Sequence, residues 1–134
     1  MFILDTMVIS ELGKRSADAK AADWFSRAPE SSLFVSVITF GEITRGIERK
    51  RAADPSFSDR LDIWAAQTRR QFEDRTLAIT TPIALRWGSM TIQLKRSDTD
   101  LLIAATALEH DMIVVTRNVR HFETTGAKHF NPYA

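Results

Sequence analysis

The chain contains no cysteine among its 134 residues, which excludes disulfides, thiol nucleophiles and thiolate metal sites. Any metal it binds must be held by oxygen or imidazole. Long apolar runs are also missing. The first such run, Phe2-Ile3-Leu4, has no basic region ahead of it and is far too short for a signal peptide or a membrane span. A cytoplasmic protein without membrane contact is therefore expected. Neither sign of charge dominates: 18 basic and 17 acidic side chains leave a net charge of +1. A dedicated nucleic-acid coat would be more basic, so any such partner must use local patches. Glycine and proline are scarce, at five and four residues, and scattered. No linker, repeat or low-complexity segment interrupts the chain.

What is present is a globular mix with 44% hydrophobic residues, eight Phe and three Trp, enough for the core of one domain spanning 1–134. Short apolar runs at 2–4, 33–35, 77–79, 113–115 and, more weakly, 127–130 predict strands. Between them the spacing turns helical at 6–12, 18–27, 38–50, 57–72, from Thr81-Pro82 through Leu94, at 99–110 and briefly at 118–123. A polar stretch at Gly13–Ser16 separates the first two helices, and Thr81 is the expected hydroxyl cap of the helix carrying Pro82. Strands alternating with helices predict an α/β fold. It is a three-layer α/β/α sandwich around a mostly parallel sheet of four to five strands.

In open parallel sheets, ligands sit beyond the carboxyl ends of the strands. Asp5 follows the first strand, Glu42 lies just past the second, and Thr116 and Asn118 follow the fourth. Asp98 and Asp100 open the helix leading into that fourth strand. If the first, second and fourth strands are neighbours, these groups share one cleft. Each has an ordinary structural role open to it as well. Asp5 suits a helix cap, Glu42 an i, i+3 pair with Arg45, Asp98 to Asp100 a helix amino terminus, and Asn118 a cap. Taken together, three crowded carboxylates repel one another unless a divalent cation neutralises them. Oxygen donors without thiols select Mg²⁺ or Mn²⁺. Such a cation makes an activated water available for phosphodiester hydrolysis without a nucleophilic side chain.

These residues sit in segments that resemble a known family. Leu4-Asp5-Thr6 with Val8-Ile9-Ser10-Glu11 is similar to the opening motif of PIN-domain toxins of the VapC/FitB-like branch. Ser36 to Ile43, followed by Gly46-Ile47, resembles their second motif, and Asp100 to Ala107 the third. Val115 to Phe122 resembles the fourth, and Asn131-Pro132-Tyr133 the usual tail. The resemblance implies a Mg²⁺- or Mn²⁺-dependent endoribonuclease, the toxin of a type II toxin–antitoxin pair. It implies a homodimer and inhibition by a cognate VapB/FitA-like antitoxin, with operator DNA met only through that antitoxin. Carried over by position, Asp5, Glu42 and Asp100 are the metal-binding acids, and Thr116 and Asn118 polar residues beside them. Asp98 does not match and ranks below Asp100. His121 stands where many relatives carry an acid.

For RNA contacts, Arg117 and Arg120 flank Asn118 and are preferred over the run Arg49–Arg51, whose ordinary role is a solvated helix face. Trp64, in the stripe Phe57, Leu61, Trp64, Phe72, belongs to the core or to a groove for a partner helix. Two rivals differ in class. An aspartyl phosphotransferase using Asp5 would want an Asp at position 7, where Met stands. A non-cleaving PIN-like module would bind RNA or antitoxin only.

Overall fold

Strands covered on both faces need apolar side chains at consecutive positions, and the sequence supplies them where the sheet forms. In the computed structural model, which describes residues 1–12, 14 and 18–134, the strands are β1 (Phe2–Leu4), β2 (Leu33–Ser36), β3 (Thr76–Leu77), β4 (Ile113–Val115) and β5 (His129–Phe130). They form one sheet in the order β3-β2-β1-β4-β5, and every pairing is parallel. Helices α1 (Thr6–Leu12), α2 (Ala19–Arg27), α3 (Val37–Arg51), α4 (Pro55–Gln71), α5 (Thr81–Leu94), α6 (Thr99–His110) and α7 (Val119–Glu123) surround it. The predicted break at Gly13–Ser16 lies, apart from Lys14, outside the described residues.

The two edge strands are shorter than the apolar runs predict. β3 pairs only with β2 and β5 only with β4, so each ladder has a single partner and ends early. Helix starts follow side-chain caps: Asp18 accepts from the N–H groups of Lys20 and Ala21, Ser36 from that of Ile38, and Asp54 from that of Phe57. Each cap contributes about 1 kcal/mol. The cap of α5 is Thr80 rather than Thr81. Thr80 has the extended backbone a cap requires, and its hydroxyl faces the N–H of Ile83, three residues on.

Alternation along the strands divides the core into two layers. Ile3 and Val114 point to one face, where they pack with Ile83 and Met90 of α5, Leu101 and Ile103 of α6 and Phe122 of α7. Leu4 and Val115 point to the other, meeting Val8 and Ile9 of α1, Ile43 and Ile47 of α3 and Ala65 of α4. The result is the three-layer α/β/α sandwich. Among the described residues, no helix is long and apolar enough to cross a membrane.

The strand order fixes where a site can form. The chain steps outward through β1, β2 and β3, then crosses back to place β4 on the other side of β1. The direction of winding therefore reverses between β1 and β4, and a crevice opens beyond their carboxyl ends. Asp5 and Thr116 are the residues that immediately follow these two strands.

Candidate functional site

Asp5 is nearly inaccessible, with 3% of its surface exposed. One carboxylate oxygen accepts the backbone N–H of Val8 at 2.9 Å, so Asp5 does cap α1. The other accepts the hydroxyl of Thr116 at 2.5 Å across the crevice. The Thr116 hydroxyl in turn accepts the backbone N–H of Asn118 at 2.9 Å, which leaves its proton for Asp5. Burial raises the Asp5 pKa above the ordinary carboxylate range. The hydrogen bonds from Thr116 and Val8 oppose that shift, and the negative charge of Asp100 adds to it. Structural cap and site residue are thus one side chain, with a different oxygen for each task.

Glu42 does not pair with Arg45. Its two oxygens accept the hydroxyls of Thr6 and Thr99, both at 2.6 Å. The Thr6 hydroxyl also lies 3.1 Å from that of Thr39. Because Thr6 gives its proton to Glu42, Thr39 is the donor in that contact. Thr6 and Thr99 are the chain neighbours of Asp5 and Asp100. Glu42 of α3 is thereby fixed between the amino ends of α1 and α6, against the chain neighbours of the other two acids.

Asp100 meets His121 of α7, with 2.6 Å between its carboxylate and Nδ1. Asp98, Asp100 and His121 each offer a donor atom within 4.8 Å of the others. Asp98, however, is held by Arg96 through two hydrogen bonds of 2.5 and 2.7 Å, which keep its pKa below the usual range. Arg96 also donates to the backbone carbonyl of His121 at 2.7 Å. Asp98 therefore anchors the loop before α6, and Asp100 remains the acid whose charge is felt at Asp5. Asn118 is exposed and caps nothing with its side chain; its contribution here is the backbone N–H given to Thr116.

At the cleft's edge, Arg117 bonds Glu11 at 3.0 Å and lies 4.4 Å over the ring of Tyr133. Burial, reinforced by a hydrogen bond to Glu11, raises the Tyr133 pKa.

A family model, the PIN domain, matches residues 2–128. This chain belongs to the PIN-domain family. It is 30% identical to the VapC ribonuclease Y4jK of Sinorhizobium fredii, an alignment covering 99% of this chain and 98% of that protein. It is similar to the toxin FitB of Neisseria gonorrhoeae, at 25% identity over 99% of both chains. Among solved structures, a chain in the structure of FitAB bound to an IR36 DNA fragment superposes with a TM-score of 0.79 at 26% identity. That match covers 100% of this chain and 96% of the other.

In this PIN domain, the motif segments account for Asp5, Glu42 and Asp100 and, through Thr6, Thr116 and His121, for only part of what orients them. Thr99 and Arg96 lie outside the motifs, and Thr6 carries no charge to draw notice. A hydroxyl beside each of two acids was the available signal. Between α1, α2 and α4, the PIN domain has a mostly apolar groove of about 370 Å³ lined by residues that include Leu12, Phe25, Trp64 and Phe72. Trp64 packs against the core layer of Leu4 and Val115, its first expected role, and also lines this groove.

Proposed function

We propose that this PIN domain is a divalent-metal-dependent endoribonuclease, the toxin half of a toxin–antitoxin pair. One observation carries the reading: Asp5, at the switch point of the sheet, feels the charge of Asp100, and Glu42 is pinned by the hydroxyls of their chain neighbours Thr6 and Thr99. The donor set fits a hard cation. It is built of carboxylate oxygens, the burial of Asp5 and the charge of Asp100 disfavour a bare pair of anions, and the guanidinium of Arg96 is engaged by Asp98. Asp5, Asp100 and Glu42, directly or through water, would hold Mg²⁺ or Mn²⁺. When bound, the cation supplies an activated water at neutral pH and offsets charge on a phosphoryl oxygen.

The protein's own contribution is orientation. Thr116 holds Asp5 in one rotamer, Thr6 and Thr99 hold Glu42, and Asn118, through its backbone, holds Thr116. The apolar groove beside α1 and α4 supports docking of an antitoxin's amphipathic segment, in keeping with the antitoxin complexes in which FitB-like relatives are solved. Operator DNA would then be reached through that antitoxin. Leu85 and Ile92, exposed two turns apart on α5, offer an apolar face for a homodimer. An RNA substrate accords with a cytoplasmic location.

The test is digestion of a pool of structured RNAs with Mg²⁺, with Mn²⁺ and with EDTA, by the wild type and by Asp5→Asn. Cleavage that needs both metal and Asp5 is expected. His121, which occupies one oxygen of Asp100, favours the second reading, a module that binds RNA or antitoxin without cutting. Binding with no cleavage under any metal would establish that reading instead.

A further inference from the structure

The run of basic residues on α3 looks uniform in the sequence and is not uniform in the fold. Arg51 is enclosed by Glu48, Asp59 and Asp62. Lys50 lies over the ring of Phe57, 5.4 Å from its centroid. Arg45 and Arg49 are exposed and, among the described residues, make neither an ion pair nor a side-chain hydrogen bond. Their positions on the helix matter more than their number. At 3.6 residues per turn, Glu42, Arg45 and Arg49 fall within a sector of about 60°. A single stripe therefore begins at a site carboxylate and runs outward as two cations. The rises are about 4.5 Å from Glu42 to Arg45 and about 6 Å from Arg45 to Arg49.

The other cations near the cleft are differently placed. Arg117 is held by Glu11 and Tyr133, and Arg96 by Asp98. Arg120 and Lys95 are exposed without an ion pair among the described residues, but each stands singly, outside any stripe that begins at a site carboxylate. A polyanion approaching an acidic cleft needs uncommitted positive charge outside it, in a line that leads in. Resting on the ribonuclease reading, we propose that the Arg45–Arg49 stripe is the track along which the phosphate backbone of a single-stranded RNA leaves the cleft. Contacts of this kind position a strand and choose no sequence. They make binding salt-dependent, because each neutralised phosphate of a single strand contributes roughly 0.7 to the slope of log affinity against log salt.

The test is fluorescence anisotropy with a labelled single-stranded RNA of about 12 nucleotides, in the size range such grooves accommodate. The RNA is 2′-O-methylated and kept in Ca²⁺ so that it stays intact. The proteins are the wild type, Arg45→Gln/Arg49→Gln and, as a charge-matched control, Arg69→Gln/Arg70→Gln at the exposed end of α4. All four positions are on the surface, and circular dichroism checks the fold. The stripe variant is expected to bind about tenfold or more weakly near 0.1 M salt and to lose about 1.4 from the salt slope. The control keeps the wild-type slope.

An unchanged slope in the stripe variant overturns the proposal. So does an equal loss in the control, which would reduce the effect to net charge, or a stripe variant that loses a co-expressed partner protein while keeping its RNA slope. Cleavage of the unmodified RNA in Mg²⁺ is scored separately. A wild type that binds with the expected slope but never cuts sinks the nuclease reading and leaves the track standing. One that cuts while the slope ignores both arginines does the reverse.

Discussion

Helix α3 has a cluster of carboxylates at each end, and the two are solved in opposite ways. At its carboxyl end, Glu48 joins Asp59 and Asp62 of α4 around the guanidinium of Arg51, with nitrogen–oxygen distances of 2.9, 3.1 and 2.6 Å. The cation there is a side chain, so the cluster is complete as folded. At the amino-terminal end, Glu42 is joined to the chain neighbours of Asp5 and Asp100, and the groups that reach these acids are hydroxyls, a backbone N–H and an imidazole. Hydrogen bonds orient carboxylates but do not cancel their charge. The first cluster fastens two helices together; the second, on the function proposed above, takes its neutralising charge from an imported cation. Acid count alone does not separate a structural cluster from a candidate site; the location of the neutralising charge does.

The largest expected effect is at Asp5. Asp5→Asn keeps the size of the side chain and can still accept from Val8 through its one oxygen, but it sets an amide NH2 against the Thr116 hydroxyl, which must turn to accept, and it removes the buried charge. RNA cleavage should fall to the level seen in EDTA, while the far-ultraviolet circular dichroism spectrum is retained. Stability without metal should show the electrostatic cause. The folded-state pKa of Asp5 lies above its ordinary value of 3.8, so between those two values the folded protein holds more proton than the unfolded chain. Its stability therefore decreases as pH rises through that window. Urea titrations at a series of pH values should find this slope in the wild type and lose it in Asp5→Asn.

Next in size is the response to metal. If the cleft binds a divalent cation only when folded, Mn²⁺ at a hundred times its dissociation constant should stabilise the wild type by about 2.7 kcal/mol. The measurement is the unfolding midpoint with Mn²⁺ against EDTA. Asp5→Asn should show little of that gain, and Arg51→Gln all of it. A gain equal in Asp5→Asn would place the cation elsewhere.

How much of this was legible in the sequence depends on the range of the interaction. The α/β alternation was legible because strand and helix periods are local, and the acids could be placed at strand ends by chain position. Their convergence was conditional on β1 lying between β2 and β4, a long-range pairing that no local pattern states. The α5 cap was displaced by one residue because two threonines precede Pro82 and only backbone conformation chooses between them. The pairing of Asp98 with Arg96 is local, two residues apart, but rests on a loop conformation that composition does not state. The hydroxyls on Glu42 and the sorting of Arg51 from Arg45 and Arg49 depend on which helix packs opposite.

Thr99 gives an effect of intermediate size. Its hydroxyl holds one oxygen of Glu42, and residues that orient a metal ligand typically matter about 10- to 100-fold. Thr99→Val should weaken Mn²⁺ affinity, measured by calorimetry, by about the lower of those factors. Thr99→Ser, which keeps the hydroxyl, should restore it. Equal losses in Val and Ser would trace the effect to packing at the start of α6 and leave Glu42 without this support.

The smallest effect belongs to the completed cluster. Arg51→Gln removes the cation that Glu48, Asp59 and Asp62 share, on a surface where water and salt screen the charges it leaves behind. Only a slight fall in the thermal midpoint is expected at low ionic strength, and it should shrink as salt is added. Cleavage and Mn²⁺ affinity should stay at wild-type values, because Arg51 lies nine residues along α3 from Glu42, about 13.5 Å at the helical rise. A variant that became Mn²⁺-responsive at this end, with a second stabilising transition absent from the wild type, would show that the two clusters differ only in the cation they happen to hold. That result would strengthen the inference that charge, rather than a special ligand geometry, draws a metal to the amino-terminal end.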